Sequence, residues 1–266
     1  MPIRFGSIVI TLLCISCTSL QKLPENSEKW KEVTVLEPVY LELQTQLNKK
    51  EIAEYEYTSS KATTDERRIK VTRKDSVKFT VESTVVGATP EGYLKVDMTT
   101  TAKEGAYELN DLAFPELGEE IRFIMTKESK VIRAGGYSEE SIFFIQPIPL
   151  PDHSVKKGDT WVQEQTWISR HNSIPLKLEL VAILSRFIDC GKDDICADIE
   201  ISGRVTIPKE LLKGRFESRT YGRFLFALRG GSMVWSNIHT DENLRSGDKD
   251  LEVHSLMTSK VSDYFL

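Results

Sequence analysis

The chain has 266 residues, of which 28% are charged and 40% hydrophobic, with 15 Gly, 10 Pro and 4 Cys. These values are ordinary for a globular protein and exclude collagen-like, low-complexity and wholly disordered chains. The formal net charge of -5 gives no global reason to expect nucleic acid as a partner.

The first 16 residues have the layout of an export signal. Arg4 is followed by an apolar run and then by small residues, which is the arrangement of a secretory signal. The run is too short to cross a bilayer as a helix, since that takes about 20 apolar residues. The sequence therefore predicts a signal peptide over residues 1–16.

The end of this segment resembles the signal of bacterial lipoproteins, in which a small residue precedes a cysteine that is acylated after cleavage. Ser16 and Cys17 form that junction, and Cys14 stands where the family usually has Leu. The resemblance implies that acylated Cys17 anchors the protein to a membrane, and Thr18 after it favours the outer membrane. The alternative is an ordinary secretory signal that happens to contain Cys.

Beyond the signal, residues 17–37 are polar and are predicted to be a spacer between the lipid anchor and the domain. From there on, apolar and polar residues alternate with period two, which is typical of strands with one buried face. The alternating stretches lie at 77–85, 94–98, 176–180, 195–201 and 224–228. They predict a mainly β protein of antiparallel sheets with few short helices, one of them at 208–214.

Two segments of the first half of the chain resemble two of the second half, in the same order. The similar pairs are 48–59 with 155–169, and 121–132 with 222–235. We therefore expect two pseudo-repeated β halves, 38–146 and 147–266. Each half alone would expose an apolar face, so the halves should pack as one domain or join edge to edge, in a sandwich or an open half-barrel. This layout resembles uncharacterised exported β-rich bacterial proteins, which implies a fold type and no activity.

Cys190 and Cys196 remain as a pair once the signal and Cys17 are set aside. They flank the residues Gly-Lys-Asp-Asp at 191–194, which are typical of a β-hairpin turn. We expect a disulfide across this hairpin, because an exported protein folds in an oxidising compartment. A two-cysteine metal site is the competing interpretation, although no further Cys or His lies at ligand spacing.

No pattern in the sequence points to catalysis. The chain lacks a nucleophile elbow, a zinc-protease helix, a phosphate-binding loop and a dinucleotide fingerprint. Residues 241–252 resemble a calcium loop, but Arg245 and Gly247 break its pattern. The basic stretch 67–74 is interpreted as the solvent face of a strand in preference to a contact with lipid headgroups. We expect no catalytic residues, no metal, no cofactor and no nucleic acid partner.

Aromatic residues of the second half are the one hint of a ligand. A buried core is the first interpretation of such residues, but a curved sheet can also enclose an apolar ligand. The residues that would line such a site are Trp161, Trp167, Phe224, Phe226 and Trp235.

These observations predict a lipid-anchored protein of the cell envelope with a non-catalytic binding or structural role. Its partners are expected to be the membrane, through acylated Cys17, and a hydrophobic ligand or an envelope protein. The first alternative is a carrier or chaperone of lipid, similar in kind to the periplasmic lipoprotein-localisation carriers. The second is an envelope hydrolase whose site residues a single sequence does not reveal.

Overall fold

The computed structural model describes residues 31–261 apart from residues 66–67, 213 and 248. The predicted signal peptide and Cys17 lie outside the described residues. Eleven strands run through the described chain: β1 (Lys50–Thr64), β2 (Lys70–Ala88), β3 (Leu94–Glu104), β4 (Glu120–Met125), β5 (Val131–Ala134), β6 (Thr160–Ile168), β7 (Pro175–Gly191), β8 (Asp194–Thr206), β9 (Arg215–Ala227), β10 (Ser232–Ser246) and β11 (Lys249–Val261).

The prediction of a mainly β, antiparallel fold is confirmed. Four of the five alternating stretches lie within strands and the fifth, 224–228, ends one residue beyond β9. In β2 the side chains of Val77, Phe79 and Val81 are buried while Lys78 is exposed. Helical structure in the described residues is limited to three short 3₁₀ segments, which are Leu109–Leu112, Ile142–Phe144 and Lys209–Leu211. Within the described part of the predicted helix at 208–214, only Lys209–Leu211 is helical. None of the described residues forms a helix long and apolar enough to cross a membrane.

All eleven strands belong to one sheet, in the order β5-β4-β3-β2-β1-β11-β10-β9-β8-β7-β6. Strands β1–β5 form one antiparallel meander and β6–β11 a second. The two meanders meet where β1 pairs with β11, with Ala53 opposite Val261. Of the arrangements expected from the sequence, the structure therefore shows the edge-to-edge one, in a single open sheet instead of a sandwich.

The similar segments of the two halves occupy corresponding places in the two meanders. Residues 48–59 lead into and through β1, and residues 155–169 lead into and through β6, which are the first strands of their meanders. Residues 121–132 and 222–235 cover the hairpins β4–β5 and β9–β10. Strands β1 to β5 of the first meander thus correspond in order to β6 to β10 of the second. Strand β11 has no counterpart and lies between β1 and β10.

The sheet is strongly curled, and the evidence for this is that one residue, Gln146, contacts both of its edges. The backbone N–H of Gln146 donates to the Gln165 side chain on edge strand β6. Its side-chain amide donates to the Glu128 carbonyl in the turn that precedes edge strand β5. In a flat sheet of eleven strands the edges would lie about 48 Å apart, at about 4.8 Å per strand. The curl gives the sheet an inner and an outer face.

Side chains on the inner face are largely apolar. Phe224 and Phe226 of β9 point inward and are fully buried, whereas Arg223 and Leu225 alternate onto the outer face. A second inner cluster lies in the first meander around Phe123 of β4. Together with a further buried cluster that contains the outward Leu225, Cys190 and Cys196, these clusters form the core of the protein.

Residues 33–48 cross the inner face at one end of the curled sheet. The N–H of Val33 donates to Phe187 on β7, and Val39 exchanges two hydrogen bonds with Val155. At the far side, the N–H of Asn48 donates to the Val85 carbonyl on β2. Leu41 in this segment is 1% exposed. We call this the filled end of the sheet, because the protein's own chain covers the inner face there; part of the predicted spacer belongs to this packed body.

The connection between β3 and β4 covers another part of the inner face. Leu109 is fully buried against Phe79 and Tyr57, which lie on β2 and β1. Glu116 fixes the connection, since its side chain accepts hydrogen bonds from the N–H of Leu109 and from Lys103. The inner face of β1 and β2 is therefore closed by residues 105–119.

The predicted disulfide is present between Cys190 and Cys196. It closes the β7–β8 hairpin, whose turn residues Lys192 and Asp193 both have a φ of 54°. Positive φ at both central residues matches the right-handed twist of paired strands, and Asp adopts it more readily than branched residues do. In the chain-entropy model a disulfide around so short a loop contributes about 2 kcal/mol.

A buried ion cluster lies on the outer face of β7, β8 and β9. The side chain of Asp198 has no exposed surface, and it accepts hydrogen bonds from Nε of Arg223 at 2.7 Å and from Nε of Arg186 at 2.9 Å. Arg223 also donates through Nη2, so its contact with the carboxylate is bidentate. The two guanidinium groups compensate the buried charge of Asp198.

Two glycines allow neighbouring strands of the second meander to approach closely. A Cβ atom on Gly203 in β8 would lie 2.1 Å from the carbonyl oxygen of Glu179 on β7. A Cβ atom on Gly222 in β9 would lie 2.5 Å from the carbonyl oxygen of Asn237 on β10. Glycine within a strand is typical of a tight bend in a closed or curled sheet, and here it permits the curl between β7 and β10.

Candidate ligand-binding site

The inner face is not covered along its whole length. The connections β1–β2, β6–β7, β8–β9 and β10–β11 all lie at the end of the sheet opposite to the filled end. We call this the open end. The β3–β4 connection, residues 105–119, also starts at this end, and it reaches from the inner face of β1 and β2 to the β6–β7 connection, where Nε2 of His171 lies 2.9 Å from Oδ2 of Asp111.

A row of inward side chains at the open end is half-buried and mostly apolar. In register across β7 to β11, Leu178 lies opposite Val205, Ser218 opposite Glu242, and Glu242 opposite Val253. The next row towards the open end contains Phe216, Leu244 and Leu251, each opposite the next. We call these residues the basin; its apolar members are Leu178, Val205, Phe216, Leu244, Leu251 and Val253.

The apolar basin residues are not part of the buried clusters of the described chain. Each keeps between about a tenth and a third of its surface exposed, although each points towards the inside of the curl. Exposed apolar residues scattered singly are ordinary, whereas a contiguous concave set is typical of a ligand groove. The basin is therefore the part of the inner face that an apolar ligand can reach.

One carboxyl group lies within the basin. Glu242 lies between Thr240 and Leu244 on the inward side of β10 and opposite Ser218 and Val253, and no ion pair joins it to a described residue. Burial raises the pKa of the Glu242 carboxyl above its usual range. The basin thus offers one polar group that can donate a hydrogen bond when protonated and accept one when ionised.

The structure does not bring the five predicted ligand-lining aromatics together. Trp161, Phe224 and Phe226 belong to one buried cluster at the filled side of the inner face. Trp161 is covered by the proline-rich segment and donates its indole N–H to the Pro149 carbonyl at 2.7 Å. Trp167 is half-buried on the inner face near the open end, opposite Leu176. It is the aromatic of the five that adjoins the basin.

Trp235 lies on the outer face. The pairing of β10 with β9 shifts between Met233 and Trp235, which places Trp235 opposite the outward Leu225. There it is 7% exposed, belongs to a buried cluster and is one of the residues that line an open groove of about 670 Å³. Several of the side chains that line this groove are charged. Two of them, Lys78 and Glu56, form an ion pair of 3.7 Å. A groove with such walls suits an apolar ligand less well than the basin does.

The basin residues Val205, Phe216, Leu244, Leu251 and Val253 were not singled out from the sequence. Leu176, Leu178 and Leu180 were recognised only as one face of a strand. Alternation identifies an apolar face, but it does not say which part of that face the rest of the chain covers. No signal in a single sequence reports that coverage.

No family model matches the chain, and no curated protein matches it. Among solved structures, lipovitellin, from work on lipid-protein interactions in that protein, aligns with 8% identity and a TM-score of 0.49 over 84% of this chain. The chain spans only 26% of the length of that lipovitellin chain. An outer membrane channel from Pseudomonas putida F1 aligns with 9% identity and a TM-score of 0.22, over 85% of this chain and 100% of the channel. Similarities this low carry no information about function.

Proposed function

We propose that this chain is a lipid-anchored, non-catalytic binding protein of the cell envelope, and that it holds the acyl chain of a lipid in the basin. The observation that carries this proposal is the half-buried apolar row at the open end, whose members belong to none of the buried clusters of the described residues. The proposed function combines two expectations from the sequence, a non-catalytic binding role and the alternative role of a lipid carrier.

Three properties of the basin support an acyl chain as the ligand. Its apolar residues follow one another across five strands, so they form an elongated strip instead of a compact pocket. Their half-burial leaves apolar surface for a ligand to remove from water, which stabilises by about 25 cal/mol per Å². With Glu242 and Ser218 as its polar members, the basin matches a ligand that is apolar along most of its length.

Native mass spectrometry of the Cys17→Ser protein, followed by solvent extraction, tests this function. We expect a reproducible bound lipid, because the half-buried apolar side chains of the basin can pack against its acyl chain. A fluorescent fatty acid should bind to the delipidated protein and compete with the extracted lipid. A clean apo mass together with no binding of the fluorescent fatty acid would overturn the proposal and leave a structural role.

Two matched variants of β7 locate the ligand. Leu178→Lys places an ammonium group in the basin and should weaken binding of the fluorescent fatty acid by at least about tenfold, because burying an unpaired charge is costly. Val181→Lys changes the same strand, but its side chain is on the outer face and 39% exposed, so binding should stay as in the unsubstituted protein. Equal losses in the two variants would contradict a ligand on the inner face.

Fractionation of cells tests the lipid anchor separately. We expect the unsubstituted protein in the outer membrane fraction and the Cys17→Ser protein in the soluble periplasmic fraction, since two or more acyl chains give stable anchoring. Cys14→Leu is the matched control, because it removes the neighbouring thiol, introduces the residue that is usual at this position of the lipoprotein signal and keeps the acylation site. A Cys17→Ser protein that remained equally membrane-bound would disprove the anchor.

A further inference from the structure

One carboxyl group of the basin has no partner. Glu242 is half-buried on the inward side of β10. Its carboxyl group forms neither a hydrogen bond nor an ion pair with any residue of the described chain. Keeping such a group away from water without a partner costs free energy. A half-buried polar group of this kind is typical of a binding site, where the ligand supplies the missing partner.

The neighbours of Glu242 are uncharged on every side. The strand register places Ser218 of β9 and Val253 of β11 directly opposite it. Thr240 and Leu244 precede and follow it on the inward side of β10. The diagonal neighbours are Phe216, Thr220, Leu251 and Ser255. Burial is accordingly the only cause that raises the pKa of the Glu242 carboxyl.

The basic residues at this end of the sheet do not compensate Glu242. The first one in its row is Lys61 on β1, two strands away, or about 9.6 Å at about 4.8 Å per strand, and its side chain is exposed. In the β6–β7 connection, Arg170 and His171 pair with Asp111 of the β3–β4 connection. The described chain thus supplies no cation to the Glu242 carboxyl.

The hydroxyl groups beside Glu242 have other partners. Oγ1 of Thr220 lies 3.2 Å from Oγ1 of Thr240. Oγ of Ser218 accepts a hydrogen bond from the Val205 N–H at 3.3 Å. Glu242 therefore lies at a boundary, with hydroxyl groups on the side of the filled end and the last apolar row of the basin on the side of the open end. The polar end of a ligand fits at this boundary, while its chain contacts the apolar row.

From this uncompensated carboxyl group within an apolar strip, we propose that the basin binds single-chain lipids whose polar end is a protonated amine, and that Glu242 pairs with that amine. A hydrogen bond between two charged groups compensates the half-buried carboxylate, and it is about twice as strong as one between neutral groups. The alkyl chain extends from β10 towards β7, about 14 Å at about 4.8 Å per strand. This inference rests on the proposed function, since it names the polar end of the lipid whose chain the basin holds.

Displacement of the fluorescent fatty acid from the delipidated Cys17→Ser protein tests the preference for an amine. Dodecylamine, dodecanol and laurate are the competitors, which differ in the charge of the polar end; near neutral pH the amine is protonated. We expect dodecylamine to displace the probe at a concentration at least about tenfold lower than dodecanol does, because it alone forms the charged hydrogen bond. Laurate should be the weakest competitor, since its carboxylate has the same charge as Glu242.

Substitutions of Glu242 assign the preference to this side chain. Glu242→Gln removes the charge and should abolish the advantage of dodecylamine, with dodecanol competing as before. Glu242→Asp keeps the carboxylate and should keep dodecylamine as the best competitor. Glu54→Gln is the matched control, because it removes an exposed carboxylate from the outer face of β1 and should leave the preference unchanged. Circular dichroism checks that all variants are folded.

The outcomes separate this inference from the proposed function. Equal displacement by the three competitors would overturn the pairing with Glu242 and leave the basin as a site for an acyl chain. The same conclusion would follow if the preference for dodecylamine survived in Glu242→Gln or were lost in Glu54→Gln. If neither the fluorescent fatty acid nor dodecylamine bound, the proposed function would fail and this inference with it.

Discussion

Replacing Asp198 by Ala is expected to destabilise the protein by about 3 kcal/mol or more. The Asp198 carboxylate has no exposed surface, and it compensates the guanidinium groups of Arg223 and Arg186, which are 17% and 30% exposed. Removing one partner from a buried ion pair leaves the other charges uncompensated, which costs about 3 to 5 kcal/mol. Urea unfolding followed by circular dichroism measures the loss.

A second cross-strand Asp and Arg pair is the matched control. Arg122 on β4 contacts Asp97 on β3 through two hydrogen bonds of 2.6 Å, as Arg223 contacts Asp198. The Arg122 side chain is 56% exposed, however, so water solvates it when its partner is removed. Asp97→Ala should therefore cost much less than Asp198→Ala. Equal costs would mean that the burial of Asp198 has no energetic role.

The variant Gly203→Ala should lose at least about 3 kcal/mol of stability, which is the upper part of the range for overpacking. The new Cβ would lie 2.1 Å from the Glu179 carbonyl oxygen and 2.9 Å from Cα of Leu180. Both atoms belong to the backbone of β7, so no side-chain rotation relieves the overlap. The two strands must move apart, and the curl at this place must open. Chemical denaturation, with soluble yield as a second readout, measures the effect.

Gly87→Ala is the corresponding control, because Gly87 also lies within a strand. A Cβ atom there would meet only Cδ of the flexible Lys95 side chain, at 3.8 Å. We expect a change within about 0.5 kcal/mol, as for surface substitutions in general. If Gly87→Ala lowered the stability as much as Gly203→Ala, the close approach of β7 and β8 would not explain the loss of stability. The loss would then come from β propensity or from the entropy of the unfolded chain.

The strand content and the hairpin disulfide could be predicted from the sequence because both depend on local patterns. Alternation in β2 reports which side chains of one strand share a face, and the turn residues between Cys190 and Cys196 fix a hairpin by themselves. The edge-to-edge joining of the halves was one of the arrangements expected. The halves join edge to edge instead of forming a sandwich because β1 pairs with β11. This pairing joins residues that are far apart in the sequence, so local patterns do not predict it.

The position of Trp235 shows why the candidate site was less predictable than the fold. Strict alternation from Met233 would place Trp235 on the inner face with Phe226. A bulge at Val234 inserts one residue, and every side chain after it changes face. Trp161 and Phe224 do face inward, but residues 33–48 and the proline-rich segment cover them. Both effects depend on tertiary contacts, which no pattern in these residues reports.

The pairing of β1 with β11 also determines when the sheet can be completed as the chain folds. The hairpins of each meander form from neighbouring residues, but the contact between Ala53 and Val261 closes a loop that contains nearly the whole described chain. Until β11 is in place, β1 keeps an unpaired edge of backbone N–H and carbonyl groups. Such an edge is a template for pairing with another molecule. The contact that closes the longest loop in this fold is thus also the one that covers the edge of β1, and of the described strands only β5 and β6 remain as edges of the finished sheet.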